Sequence, residues 1–147
     1  MQQQPWLEFV VANERYAVPV AQVIEILTWR ECDPVPDADE FIRGIINFRG
    51  NIVAVVDMHQ WLHGTPLKPH EDSKILTMTM AGEMIGVAVD GVEELIYPQQ
   101  GQRESIMEGD NGLTETCYYH DRLIAMFDWS LLQRLFYREQ EMDEEND

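Results

Sequence analysis

The chain has 147 residues, of which 45% are hydrophobic and 25% are charged, and its formal net charge is −17. This length suits one ordinary domain or two small subdomains that share a core. Such acidity opposes binding to nucleic acid or to an anionic membrane surface, so we expect neither as a partner. Six of the 27 acids lie within residues 139–147, and the other 21 still outnumber the 10 bases. The acidity therefore also belongs to the folded part, where it serves either solubility or a basic partner surface.

The sequence predicts neither a membrane span nor a secretion signal. No apolar run approaches the roughly 20 residues that cross a bilayer. Residues 1–5 lack the basic and apolar regions of a signal peptide. We therefore expect a cytoplasmic protein without direct membrane insertion, in which the distant Cys32 and Cys117 remain thiols.

The first 40 residues contain two predicted strands and one ambiguous segment. Residues 6–12 and 16–18 have the composition of strands on either side of a turn. The apolar residues within 20–27 follow the spacing of one helix face, which predicts a short helix, although a strand over residues 24–27 stays open. Residues 32–40 contain two prolines and four acids and predict a loop.

Residues 41–58 carry the strongest strand signal of the chain. Two β-branched apolar runs are joined across Arg49-Gly50, which predicts a buried hairpin. Asp57 then begins a capping-box pattern, which predicts a short helix over residues 58–62.

The second half of the chain continues with strands and turns. Further strands are predicted over residues 75–80, 84–89, 92–96, 114–119 and 123–127. Residues 99–112 are polar and predict an exposed loop, whereas the apolar spacing within residues 130–140 predicts a helix.

Two short segments indicate an internal duplication. VAVVDM (53–58) and IAMFDW (124–129) both place Ala second and Asp fifth, and both follow a predicted hairpin. This repeat predicts two similar small β-subdomains.

Few residues point to catalysis. The sequence has no Gly-rich phosphate loop before a helix and no Gly-x-Ser-x-Gly motif. His59 and His63 lie four residues apart and, with His70 or a cysteine as third ligand, have a spacing used for zinc. No acid stands beside His59 as in the metalloprotease motif, so we interpret these histidines as solvent-facing or capping and expect no metal and no cofactor.

Glu25 and Arg49 are charged residues within apolar sequence. A lone charge in such surroundings is expensive to bury unless it is paired, although Arg49 can equally occupy a solvated turn. If the two side chains meet, they would fix one element against another and present charge amid an apolar surface. Such a site suits partner recognition better than catalysis.

Several ordered motifs run through residues 9–132. They are YAVPV (16–20), VIEI (23–26), VP (35–36), FIRGIINFRG (41–50), VVDM (55–58) and GVAVDGV (86–92). Their combination resembles the CheW family of bacterial chemosensory coupling proteins.

The resemblance implies an all-β fold of two SH3-like five-stranded β-barrel subdomains with short helices. The two intertwined subdomains would form one CheW-like domain over residues 6–136, followed by an acidic tail over residues 137–147. The implied function is that of a non-enzymatic adaptor, which binds the regulatory domain of the histidine kinase CheA and the cytoplasmic tip of chemoreceptors. This adaptor would be a monomer in isolation and part of receptor arrays in the cell.

The resemblance also implies a set of partner-binding residues. They are Val23, Glu25, Gly44, Arg49, Gly86, Val89 and Leu95. By this correspondence Glu25 and Arg49 pair at the subdomain junction, and the receptor tip, a helical hairpin, lies in a groove between the barrels. Two other functions stay open: a CheW-like module that binds only kinase or only receptor, and a small metal-dependent enzyme using His59 and His63.

Overall fold

The computed structural model describes residues 4–80, 82–105 and 113–128. These residues form eleven β-strands and one α-helix, α1 (Met58–His63). The strands are β1 (Trp6–Val11), β2 (Glu14–Pro19), β3 (Val23–Thr28), β4 (Ile42–Phe48), β5 (Asn51–Asp57), β6 (Lys74–Met80), β7 (Glu83–Val89), β8 (Gly91–Ile96), β9 (Arg103–Ser105), β10 (Leu113–Tyr119) and β11 (Arg122–Phe127). The predicted β-rich fold is confirmed.

The strands form two sheets. The first sheet has the order β8-β1-β2-β11-β10-β9, and the second has the order β3-β6-β7-β5-β4. The whole second sheet is therefore inserted between β2 and β8 of the first. The prediction of two β-subdomains is confirmed, and the second sheet has the expected five strands. The first sheet has six, because the three-residue strand β9 joins its edge.

The two sheets repeat one topology. Each sheet contains an antiparallel hairpin whose second strand pairs in parallel with another strand. In the first sheet the hairpin is β1–β2 and β2 pairs with β11. In the second sheet the hairpin is β6–β7 and β7 pairs with β5. This parallel pairing begins at Ala125 in the first sheet and at Ala54 in the second, the two alanines of the repeated motif. Each sheet also has a β-bulge where its edge strand, β8 or β3, pairs with its neighbour. The shared topology supports the predicted duplication.

The chain that leaves each of these edge strands crosses to the opposite edge of the same sheet. After β3, Asp33 pairs with Ile45 of β4 through two backbone hydrogen bonds of 2.9 Å. After β8, strand β9 pairs with β10. These connections link the two edges of each sheet and give each sheet a barrel-like shape. The loop predicted over residues 99–112 is wrong at residues 103–105, which form β9. Pairing with β10, a strand that follows later in the chain, outweighs the polar character of this segment. Residues 106–112 lie outside the described part.

Three clusters of buried apolar side chains fill the fold. The first contains residues of both sheets and joins them: Leu7, Phe9, Val11, Tyr16, Val18, Val56, Met58, Leu76, Met78, Val87, Val89 and Phe127. The second fills the second barrel with Leu27, Ile46, Phe48, Val53, Val55, Leu67, Ile75 and Ala88. The third fills the first barrel with Trp6, Ala17, Ile96, Cys117, Ile124 and Met126. Burying each large apolar side chain contributes about 1.5–3 kcal/mol. The first cluster therefore holds the two subdomains together, and the other two stabilise each barrel.

The helix predicted within residues 20–27 is wrong. Only Val20–Gln22 are helical, as a single 3₁₀ turn, and β3 follows at once. Leu27 is buried in the second barrel while Ile24 is 50% exposed, so the two do not share one buried face. Pairing with β6 outweighs the helical spacing, and the alternative of a strand is what forms.

Helix α1 begins at the predicted residue and ends one residue later than predicted. Asp57 Oδ1 accepts a hydrogen bond from Gln60 N at 3.1 Å, which caps the first turn. Gly64 ends the helix in the left-handed conformation with φ of 76°. Among the described residues, no helix is long and apolar enough to cross a membrane. The helix predicted over residues 130–140 and the acidic tail lie outside the described residues.

Candidate functional site

Glu25 and Arg49, which are 24 positions apart, meet in the structure. Arg49 Nη2 donates a hydrogen bond to Glu25 Oε1 at 3.1 Å. Glu25 lies on β3 and Arg49 in the turn between β4 and β5, so the pair joins the two edges of the second sheet. The ion pair thus closes one barrel rather than linking the two subdomains.

The Arg49 guanidinium is open to solvent. Its side chain is 72% exposed, whereas that of Glu25 is 35% exposed. The guanidinium carbon of Arg49 also lies 4.8 Å from the centre of the Phe48 ring, and that of Arg30 lies 5.6 Å from the same ring. Because an arginine carries five N–H donors, most of those of Arg49 stay accessible to a partner.

The turn that carries Arg49 is fixed by its neighbours. Arg49 itself adopts φ of 52° and Gly50 φ of 83°, so both central residues of the turn are left-handed. Asn47 Oδ1 accepts a hydrogen bond from Gly50 N at 3.1 Å, which braces the turn from its first strand. The Asn-x-Arg-Gly motif therefore holds the guanidinium in place at the end of the hairpin.

Gly44, another predicted partner-binding residue, is buried in β4. A Cβ atom at this position would lie 2.4 Å from the Asp33 carbonyl oxygen. The φ of Gly44 is 151°, at the margin of the region that favours glycine. Glycine thus permits the close approach of the segment that follows β3, and Gly44 offers no side chain to a partner.

Gly86 and Val89 lie on β7, the central strand of the second sheet, and both are buried. A Cβ atom at Gly86 would lie 2.9 Å from Ile75 Cγ2 and 3.3 Å from Val55 Cγ2. Val89 is fully buried in the cluster between the sheets. Neither residue therefore presents a side chain at the surface.

Val23 and Leu95 lie on the two edge strands that carry the bulges. Val23 is half-buried against the cluster between the sheets, and Leu95 is 45% exposed. Leu95 pairs with Leu7, and the matching position of the second sheet is Ile26, which pairs with Leu76 and is 44% exposed. Each edge strand therefore presents a large aliphatic side chain directly after its bulge, and β3 also exposes Ile24.

The histidines considered as zinc ligands are engaged by other groups. His59 Nδ1 lies 2.7 Å from the Thr65 carbonyl oxygen, and His63 Nε2 lies 3.0 Å from Tyr16 Oη. His70 Nε2 lies 3.5 Å from Asp90 Oδ1. Across the part of the chain that the structure describes, no three His, Cys, Asp or Glu residues are grouped to hold a metal ion.

Comparison with known proteins agrees with this architecture. A family model described as the CheW-like domain matches residues 5–135. The chain belongs to the CheW-like domain family. The chemotaxis protein CheW of Bacillus subtilis is 26% identical to this CheW-like chain over 125 residues, which are 82% of this chain and 80% of that protein.

Two further relatives extend the comparison of the CheW-like chain. The chemotaxis protein CheA of Listeria monocytogenes is 29% identical over 97 residues, which are 66% of this chain but only 14% of CheA. The crystal structure of the scaffolding protein TtCheW from Thermoanaerobacter tengcongensis has a TM-score of 0.78 and 25% identity, and the match covers 86% of this chain and 89% of TtCheW. The resemblance inferred from the sequence motifs is confirmed.

The CheW-like chain also exposes large hydrophobic side chains that the sequence analysis did not assign to a site. Within the described residues they are Ile24, Ile26, Val35, Ile52, Tyr97, Tyr118 and Leu123. Ile52 is predicted within the buried hairpin but is 75% exposed, because it faces outward from β5 while its neighbour Val53 is fully buried. If residues 23–28 are taken as a strand, the alternation of side chains between its two faces predicts that Ile24 and Ile26 face outward.

Proposed function

We propose that this protein is a non-enzymatic adaptor that couples chemoreceptors to the histidine kinase CheA, in chemotaxis or a related chemosensory system. One observation carries the proposal: a CheW-like domain spans residues 5–135. The B. subtilis relative that matches most of this chain is named a chemotaxis protein CheW, and TtCheW is named a scaffolding protein. The partners are the CheA regulatory domain and the cytoplasmic tip of the receptor.

The geometry supports binding through an exposed cation on a rigid apolar frame. Arg49 is held by Glu25 and Phe48, so a partner that contacts it does not have to order a free side chain. Leu95 supplies an exposed apolar contact on the other sheet. Two separate sheets thus give one small domain room for two partners.

Within this proposal the seven partner-binding residues have different tasks. Glu25, Arg49 and Leu95 contact partners directly, because their side chains reach the surface. The other four, Val23, Gly44, Gly86 and Val89, shape the strands that carry these contacts, since they are buried or half-buried.

The proposed adaptor comprises residues 6–136, and residues 137–147 form an acidic tail. It works in the cytoplasm as a monomer that joins receptor arrays, where individually weak contacts gain strength through multivalency. Its acidic charge suits partner surfaces that carry basic groups.

Binding of the purified chain to the CheA regulatory domain and to a receptor cytoplasmic fragment, measured separately, tests this function. The decisive variant is Arg49→Glu, and its matched control is Arg30→Glu. Both arginines are exposed, both lie over Phe48, and both reversals change the net charge by the same amount. We expect the chain to bind both partners, and Arg49→Glu to weaken both about tenfold or more while Arg30→Glu changes them little.

Each outcome separates two functions. Binding to one partner alone would replace the coupling role by that of a module that holds only kinase or only receptor. Binding to neither would refute the adaptor, and stoichiometric zinc in the purified protein would then favour the enzyme using His59 and His63.

A further inference from the structure

A buried glutamate lies within the first barrel, outside the site described above. Glu8 of β1 has 0% relative exposure. Arg15 Nη1 donates a hydrogen bond to Glu8 Oε2 at 3.1 Å. Arg122 donates from Nη2 to Glu8 Oε1 at 2.9 Å and from Nε to Oε2 at 3.2 Å. A buried charge is tolerated when it is paired in this way, and here both oxygens are occupied by guanidinium groups.

The same two arginines reach the edge strand β8. The pairing of β1 with β8 shifts at Glu8, so that this one residue faces both Glu93 and Glu94 across a β-bulge. Arg122 Nη2 donates to Glu94 Oε1 at 3.0 Å, and Arg15 Nη1 lies 4.0 Å from Glu93 Oε1. Three carboxylates and two guanidinium groups therefore tie together strands β1, β2, β8 and β11.

The second sheet has a related arrangement at its own bulge. There Glu25 of the edge strand β3 pairs with Thr77, which is fully buried like Glu8. Thr77 Oγ1 donates a hydrogen bond to the Glu25 carbonyl oxygen at 3.2 Å. In both sheets, therefore, a buried polar side chain lies opposite the bulge of the edge strand: Thr77 bonds to its bulge directly, whereas Glu8 is connected to its bulge through Arg15 and Arg122.

The surfaces beside the two bulges also carry similar side chains. An arginine pairs with the glutamate of each bulge: Arg49, in the turn between β4 and β5, with Glu25, and Arg122, the first residue of β11, with Glu94. The next residue along each edge strand is an exposed aliphatic side chain, Ile26 or Leu95. The arrangement that holds Glu25 and Arg49 in the second sheet thus has a counterpart around Leu95 in the first.

We propose that Glu8 is a positioning residue for a partner-binding edge at β8. It holds Arg15 and Arg122, these arginines hold the Glu93–Glu94 bulge, and the bulge fixes the direction in which Leu95 faces a partner. Within the described part of the chain, β8 pairs with β1 alone, so interactions from inside the barrel are needed to keep an irregular edge in one conformation. The proposal rests on the proposed function for the assignment of Leu95 as a partner contact.

The test compares Glu8→Gln with Glu115→Gln. Among the described residues, Glu115 also forms a bidentate pair with an arginine, Arg103, at 2.6 and 2.8 Å, but it lies on β10, which pairs with β9 and β11 rather than with β8. Both variants remove one carboxylate charge from a paired arginine. The first measurement is hydrogen exchange at the β8 amides. The second is binding of the CheA regulatory domain and of the receptor fragment, each measured separately. The variant Leu95→Asp identifies which of these two partners contacts β8.

We expect Glu8→Gln to accelerate exchange of the β8 amides about tenfold more than Glu115→Gln does, because local opening of that strand becomes easier. We also expect binding of the partner sensitive to Leu95→Asp to weaken about tenfold, while binding of the other partner stays within about twofold. If Glu8→Gln does not fold, the double variant Glu93→Gln/Glu94→Gln removes the surface half of the cluster and should produce the same partner-selective loss.

Unchanged exchange and binding in a folded Glu8→Gln chain would overturn the proposal. Equal losses for both partners, or equal effects of Glu115→Gln, would also overturn it, since they indicate a general loss of stability. If Leu95→Asp affects neither partner, β8 is no binding edge and the proposal fails while the adaptor function stands. If the unaltered chain binds neither partner, the proposed function fails, and the exchange comparison still decides whether Glu8 positions β8.

Discussion

Arg43 donates a hydrogen bond from Nη1 to Asp57 Oδ2 at 3.1 Å, and the same nitrogen lies 2.7 Å from the Leu67 carbonyl oxygen. Asp57 is almost fully buried, and its Oδ2 atom also accepts a hydrogen bond from Leu67 N at 3.0 Å. One carboxylate thus connects the hairpin of the second sheet, helix α1 and the segment that leads to β6. Asp57 is the fifth residue of the repeated motif, so these contacts give the acid of the first copy a structural role.

Replacing Asp57 should destabilise the protein strongly. Asp57→Ala removes the helix cap and the charged partner of Arg43, which we expect to cost about 3–5 kcal/mol in the free energy of unfolding. Asp57→Asn keeps one acceptor oxygen and should cost about 2 kcal/mol. Urea denaturation of both variants checks this order, and equal stability of Asp57→Ala and the unaltered chain would contradict it.

Gly44 and Gly50 provide a matched pair of glycine substitutions in one hairpin. Gly44→Ala places a Cβ atom 2.4 Å from a backbone oxygen that cannot move away without breaking the bridge between Asp33 and Ile45, so we expect a loss of about 3 kcal/mol. Gly50→Ala meets no atom within 4 Å but must adopt positive φ, which should cost about 1 kcal/mol. Thermal unfolding compares the two, and a larger effect at Gly50 would show that close packing at Gly44 is not the constraint.

The ion pair between Glu25 and Arg49 should matter far more for binding than for stability. Because Arg49 is 72% exposed, solvent screens the pair, and a double-mutant cycle should give a coupling energy of about 0.2–1 kcal/mol. The exchanged pair Glu25→Arg/Arg49→Glu should restore that stability without restoring partner binding, since a partner would meet the opposite charge. Restored binding in the exchanged pair would mean that the pair acts only within the fold.

Tyr16 should make the protein sensitive to alkaline pH. Burial raises the pKa of Tyr16 above its ordinary value, and the hydrogen bond and negative charge of Glu14 act in the same direction. The folded state therefore keeps the phenol proton to higher pH than the unfolded state does. The stabilisation that the Tyr16 phenol contributes is fully present below a pH of about 10, the pKa of an unfolded tyrosine, and is lost as the pH rises above that value.

Tyr16→Phe isolates this contribution. It should cost about 1 kcal/mol at neutral pH, because the hydrogen bonds to Glu14 and His63 are lost. It should also flatten the fall in stability between a pH of about 9 and about 11 relative to the unaltered chain. Denaturant unfolding across this range provides the comparison, and an identical fall in both chains would show that other groups cause it.

Much of the fold follows from short-range sequence patterns. The hairpin around Arg49-Gly50, the cap at Asp57 and the repeated Ala and Asp positions were predicted, because strand propensity, turn chemistry and helix capping act between neighbouring residues. A prediction from local sequence patterns is wrong where pairing with a distant strand favours a different structure. The segment after Pro19 has helical spacing but becomes β3 because β6, about 50 residues later, offers it an edge.

Local sequence patterns were sufficient to predict the mainly β character of this protein, its two similar halves, the turn at Arg49-Gly50 and the helix cap at Asp57. Only the folded structure shows that the pair of Arg49 and Glu25 closes the second barrel, that Gly44 admits the Asp33 carbonyl, and that Glu8 lies opposite a bulge with two arginines. These contacts join strands that are distant in the chain. Their register and bulges arise only when the sheets close, because a shift of one residue turns every side chain of a strand to the other face.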